Sequence, residues 1–264
     1  MRTTRSNDGT TIAFDQAGTG PALILIGGAL SNRAAAVTLM PRLASHFTVF
    51  AFDRRGRGDS GDTSPYAVER EIEDIAALIS EAGGSASLFG HSSGAVLALE
   101  AARQLPSQIT KLALYEPPFI IDDSRPPLSA AFHARLTDLV ASGQRSEAVE
   151  YFLGEGVQVP AEMLAQMKAS PMWPELVTAA HTLPYDVAVM GDTESGNPEA
   201  LAKFAAIAVP TLVMDGGASP VFMHRGAEAL ASVIPHARHQ RLAGQQHGPA
   251  DAVLVPVLVE FFTA

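Results

Sequence analysis

The stretch Ala86-Ser87-Leu88-Phe89-Gly90-His91-Ser92-Ser93-Gly94 decides how this chain is read. A short apolar run, Ala86–Phe89, feeds a G-x-S-x-G turn. The residues that follow, Gly94–Arg103, are rich in helix formers, with Pro106 just beyond. A strand–turn–helix of this kind holds the central serine in strained backbone geometry, its hydroxyl exposed at the strand tip. The flanking residues are glycines because a Cβ at either position would crowd the neighbouring strand and helix. The pattern alone is weak, since Gly and Ser at about 7% each give roughly 0.1 chance matches in a chain this long. Its setting between strand and helix carries the weight, against the plainer reading of a Gly-rich loop.

Composition bounds the rest. With 264 residues, 47% hydrophobic and 17% charged, the chain is one large domain or a domain with an insertion. A formal net charge of −10 argues against nucleic acid or an anionic membrane as partner. The absence of cysteine excludes a disulfide framework, a thiolate nucleophile and a cysteine-ligated metal. The N-terminal residues Met1–Gly9 lack the apolar core of a signal peptide, and no apolar run reaches the roughly 18 residues of a membrane span. A cytoplasmic monomer or homodimer acting on a small molecule is expected.

Strand and helix patterns alternate through the first half. Thr10–Ala17 follows an Asp8-Gly9 turn, and Ala22–Ile26 and Thr48–Phe52 are continuous apolar runs of the kind buried in a parallel sheet. Ala34–His46 reads as a helix, and Val68, Ile72, Ile75 and Ile79 mark one face of a helix over Tyr66–Ala82. Ile109–Tyr115 reads as a further buried strand. Such alternation implies right-handed βαβ units and a doubly wound, mostly parallel α/β sheet. From Pro117 to about Ala206 the rhythm breaks into helical segments with many prolines. It resumes with a strand at Thr211–Asp215, a helix at His224–Val233, a strand at His239–Leu242 and a helix at Ala252–Phe262. A helical insertion at residues 119–203, within a core of residues 1–118 and 204–264, is placed to roof the strands' carboxyl edge.

A serine hydroxyl needs a positioned base at neutral pH. In the chain order serine, acid, histidine, the base falls in a loop before the last helix, where Gly244–Pro249 carries His247. His91 adjoins the nucleophile Ser92, but its side chain should point away from it. An oxyanion hole needs two backbone N–H groups. One is that of Ser93; the other comes from the loop after Ala22–Ile26, Gly27-Gly28-Ala29-Leu30, with Ala29 as donor and Gly28 letting the amide turn inward. Gly56–Gly61 matches G-x-G-x-x-G, but Asp59 and Asp62 bring negative charge and Asp62–Pro65 intervenes before the helix. No dinucleotide site, metal or other cofactor is expected.

Together, Gly27–Ala29, Asp53–Ser60, the Ser92 turn and the His247 loop resemble the α/β-hydrolase superfamily, over nearly the whole chain outside the insertion. In much of that superfamily the Asp53–Ser60 loop is structural, and the triad acid sits in a turn after the strand represented here by Thr211–Asp215. This chain has Ser219 there, in Asp215-Gly216-Gly217-Ala218-Ser219-Pro220. Two carboxylates can substitute: Glu116, directly after Ile109–Tyr115, and Asp215, about four residues ahead of the usual position. Glu116 is favoured because it leaves the same sheet edge as Ser92. Glu116-Pro117-Pro118, 24 positions after Ser92, and the carboxylate-free turn Gly216–Pro220 are similar to the zearalenone lactonases, which use a glutamate after the equivalent strand. The insertion departs from that family.

The resemblance implies a cofactor-free Ser–His–Glu hydrolase acting on an ester or lactone with an apolar body. Leu30, Met172, Trp173, His181 and Tyr185, with Met167 and Phe132, are the candidate substrate contacts. Lyase or perhydrolase chemistry on the same triad, or a non-catalytic ligand-binding protein, remain the alternatives.

Overall fold

In the computed structural model, which describes all 264 residues, the first half runs β1 (Arg2–Arg5), β2 (Thr11–Ala17), β3 (Ala22–Ile26), α1 (Leu39–Leu43), β4 (Thr48–Phe52), α2 (Val68–Glu81), β5 (Ala86–His91), α3 (Ser93–Gln104) and β6 (Ile109–Tyr115). Five helices follow: α4 (Ala130–Ala141), α5 (Arg145–Tyr151), α6 (Ala161–Lys168), α7 (Trp173–Ala179) and α8 (Leu183–Met190). The chain closes with β7 (Thr211–Gly216), α9 (Val221–Val233), β8 (Arg238–Leu242) and α10 (Asp251–Thr263). The strands form one sheet in the order β1-β2-β4-β3-β5-β6-β7-β8. β1–β2 and β2–β4 pair antiparallel, and every other pairing is parallel. This is the doubly wound, mostly parallel sheet that the strand–helix alternation implied.

Strand periodicity sorts the core into two layers. Ile24 and Ile26 of β3 face one layer with Ile72, Ile75 and α3, whereas Leu23 and Leu25 face the other with α10. α3 carries apolar residues all round and is buried from Ser93 to Ala102, as a helix covered on every side must be. The helical stretch after β6 has a third apolar cluster of its own, including Phe132, Leu136, Val149 and Trp173.

Two local expectations change. Ala34–His46 is not one helix: it splits into a single tight turn, Arg33–Ala36, and the five-residue α1. Pro41 has no N–H for a carbonyl one turn earlier, and it sits instead in the first turn of α1, where no intrahelical partner is needed. β1 had no signal, because Arg2-Thr3-Thr4-Arg5 has no apolar face. It pairs through the Asp8-Gly9 turn, where Gly9 adopts φ +84°. No helix is long and apolar enough to cross a membrane.

Candidate active site

β5 is central in the sheet, and the turn at its carboxyl end places Ser92 at φ +58°, ψ −128°, a conformation L residues rarely adopt. The flanking glycines are sterically required. A Cβ on Gly90 would lie 2.6 Å from Ala95 Cα, and one on Gly94 would strike the carbonyl oxygens of Ile26 and Gly27. The β3 loop approaches as closely: a Cβ on Gly28 would lie 2.8 Å from Ser92 Cβ. Ser93 opens α3, so its N–H has no intrahelical acceptor, and Ala29 lines the same cavity as Ser92.

Glu116 leaves β6, the neighbour of β5, and its backbone enters the left-handed region at φ +47° directly after the strand. The turn is held by the Glu116 N–H donating to Met214 O at 2.9 Å. It buries the carboxylate completely. There Oε1 accepts the Gly216 N–H at 2.7 Å and Oε2 accepts His247 Nδ1–H at 2.7 Å. That bond sets the tautomer and leaves His247 Nε2 as an acceptor. Burial pushes the Glu116 carboxyl up, but the His247 bond, the Ser219 hydroxyl and the Gly216 amide outweigh it and hold the group below its usual range. Ser219 Oγ itself is buried and has no hydrogen-bond partner.

The His247 loop is braced from below. Tyr115 Oη donates to Gln246 O at 2.6 Å, and His91 Nε2 lies 2.7 Å from His247 O. Burial, with His247 nearby, lowers the His91 pKa to about 4, so its neutral ring donates to that carbonyl. Ser92, Ser93, Ala29, Glu116 and His247 all border one cavity of about 170 Å³. The hydrogen bonds of His247 run to Glu116 and His91, and none joins it to Ser92.

Asp215 does not reach His247. It shares the Val213 face of β7, turned towards α9 and β8, and there it is fully buried. It takes His224 Nδ1 at 2.5 Å, Arg241 Nε at 2.8 Å and His239 Nε2. That corrects the alternative assignment of the acid.

The substrate contacts also need correcting, for none of the five borders this cavity. Trp173 is buried in the helical stretch, with Nε1 donating to Ser146 Oγ at 3.0 Å. Met172 is 60% exposed and, with Leu30, borders a separate surface cleft. Tyr185 stacks on Tyr66 at 3.9 Å between ring centres and donates to Asp62. His181 Nδ1 contacts Thr178 O at 3.1 Å. The apolar wall comes instead from Phe132, as expected, and from Phe152, Val187, Met190 and Phe222.

Sequence reading missed a buried ion network under the site. Arg54 binds Glu71 through two bonds of 2.7 Å and Asp186 of α8 at 2.7 Å. Arg57 donates to Asp186 at 2.6 Å and to Gly28 O at 2.7 Å, and Ser93 Oγ donates to Asp186 at 2.7 Å. Burial opposes ionisation of Asp186, but Arg57 and Arg54 prevail and keep its pKa low. Asp53, in turn, accepts the Arg33 and Asp59 amides at 2.7 and 2.9 Å. The Asp53–Ser60 loop is therefore structural, and its acidic partners come from distant segments with no local pattern.

Residues 23–255 match the alpha/beta hydrolase family, and the chain belongs to it. It is 56% identical to an alpha/beta hydrolase of Sphaerobacter thermophilus whose crystal structure is known. That likeness covers 99% of this chain and 100% of the other, with a TM-score of 0.92. A pimeloyl-[acyl-carrier protein] methyl ester esterase of Xanthomonas axonopodis pv. citri is 27% identical over 89% of this chain and 91% of its own. A 2-(acetamidomethylene)succinate hydrolase of Mesorhizobium japonicum is 32% identical over 58% of this chain. The match spans 55%, about half, of that relative's length. None of these is named a zearalenone lactonase, and that finer likeness rests on the residues around Glu116 alone.

Proposed function

We propose that this chain is a serine hydrolase that cleaves a carboxylic ester or lactone through Ser92, His247 and Glu116. The observation that carries the reading is the 2.7 Å bond from His247 to the buried Glu116, at a cavity that also holds the strained Ser92. Ser92 Oγ attacks the carbonyl carbon while His247 Nε2 takes its proton. Glu116 orients the ring and stabilises the imidazolium that forms. The amides of Ala29 and Ser93, with Gly28 giving the loop its close approach, receive the oxyanion. His247 returns the proton to the leaving oxygen, and water then hydrolyses the acyl-enzyme by the same steps in reverse.

Residues 119–203 act as a lid in this reading. Their largely separate apolar cluster supports that division from a core of residues 1–118 and 204–264, onto which α8 docks through α3. The mostly apolar wall suits a substrate with an apolar body. At about 170 Å³ the cavity suits a small one, since drug-sized ligands occupy roughly 300–1,000 Å³. Relatives named as a methyl ester esterase and as a hydrolase of an acetamidomethylene succinate support carbonyl hydrolysis at this site. The test is turnover of short aryl esters. Ser92→Ala should lower kcat by about 10⁴-fold or more; unchanged turnover in that variant refutes the assignment.

A further inference from the structure

Four arginines of this chain are buried: Arg54, Arg55, Arg57 and Arg125. The first three each pair with buried or half-buried carboxylates, Glu71, Asp186, Asp74 and Asp8, at 2.6 to 3.0 Å. Arg125 is different. Its side chain is 6% exposed and has no carboxylate within ion-pair distance, and its Nε has no hydrogen-bond partner. The guanidinium lies 4.7 Å over the Phe222 ring, and one terminal nitrogen donates to Gly156 O. Both contacts orient the cation without neutralising it. Arg125 also borders the cavity that holds Ser92 and His247.

A desolvated arginine without a counter-ion is costly to fold around, and the cost is recovered when an anion arrives. Glu194, in the wall of the same cavity, attracts Arg125 but forms no ion pair with it, and burial raises its pKa to about 7, so near neutrality it offsets the cation only in part. We propose that Arg125 receives a free carboxylate on the substrate, so that the substrate class is an ester or lactone bearing a second, ionised carboxyl group. The second clause rests on the hydrolase reading; the anion site itself does not. The polar end of the substrate then meets Arg125, and its carbon skeleton lies against Phe132, Val187 and Met190.

The direct test is calorimetric titration of succinate into the Ser92→Ala protein, with succinamide as the uncharged control. Saturable succinate binding is expected, weakened about 10- to 100-fold by adding Arg125→Gln and less by Arg125→Lys. Absence of saturable binding, or binding unchanged in Arg125→Gln, overturns the site, and the first of these needs no Arg125 variant to fold. In the native protein, kcat/KM for monomethyl succinate should exceed that for dimethyl succinate at least about tenfold. Preference for the diester overturns the proposed substrate class. The two readings fail separately. Succinate binding without any turnover by Ser92 removes the hydrolase and keeps the anion site, whereas aryl-ester turnover without succinate binding does the reverse.

Discussion

Glu116 reaches His247 because its backbone turns into the left-handed region one residue after β6, bringing the carboxylate under the loop that follows β8. Ser219 and the Gly216 amide, from the turn where the superfamily's aspartate usually stands, complete its surroundings. Glu116→Gln should lower kcat by about 10³- to 10⁴-fold, because an amide neither fixes the His247 tautomer nor balances its positive charge. Asp215→Asn should leave kcat nearly unchanged and reduce stability in denaturant titrations, since Asp215 anchors His224, His239 and Arg241. The reverse ranking would reassign the acid. Both carboxylates were visible in the sequence, as each stands at the end of a buried strand. What separated them was the backbone: Asp215 stays in β7 on the face of Val213, which packs against α9, whereas Glu116, in register beside it, turns out of its strand at φ +47°.

At the scale of elements, the loop after β4 and helix α8 together hold the loop Gly27–Leu30 that follows β3. Arg57 donates to Gly28 O at 2.7 Å, as does Ser31 Oγ. The Gly28 carbonyl and the Ala29 N–H belong to one planar trans peptide, so holding the oxygen also fixes the direction of the N–H, which points the opposite way. Asp186 of α8 anchors Arg57, Arg54 and Ser93 together. Under the proposed function, Arg57→Met should lower kcat by about 10- to 100-fold with KM little changed, the split expected when one oxyanion donor is misaligned. A rise in KM alone would place Arg57 in substrate binding instead. The strands were legible as uninterrupted apolar runs, and the α2 face was legible from its spacing. The cavity wall was not: helical positions such as Trp173 and Phe132 carry the same apolar signal whether they face their own cluster or the cavity.

For the molecule as a whole, two half-buried groups give stability opposite dependences on pH. Unfolded, His91 takes a proton near 6.5; folded, burial beside His247 delays this to about 4. Its contribution is therefore present at neutral pH and lost as pH falls from 6.5 towards 4. Glu194 ionises near 4.5 when unfolded but holds its proton to about 7 when folded, so its contribution is lost as pH rises from 4.5 to 7. Between pH 4.5 and 6.5 the two oppose each other. Against the unsubstituted protein, His91→Gln should make the slope of unfolding free energy with pH more negative and Glu194→Gln more positive, read from denaturant titrations across that window. Parallel slopes in all three would show that neither group is shifted as its burial implies. Strand order and the break in rhythm after β6 were readable along the chain. The ion network and the unpaired Arg125 were not, because their partners, or the lack of them, depend on segments far apart in sequence.

The central claim is that Ser92 is a nucleophile activated by His247 and held at the carboxyl end of β5. Labelling with a fluorophosphonate, followed by peptide mapping, tests it most directly. One adduct, on Ser92, formed rapidly in the native protein and at least about 10³-fold more slowly in His247→Gln, is the predicted result. A folded protein that takes no adduct on Ser92, or takes it equally fast without His247, would contradict the account.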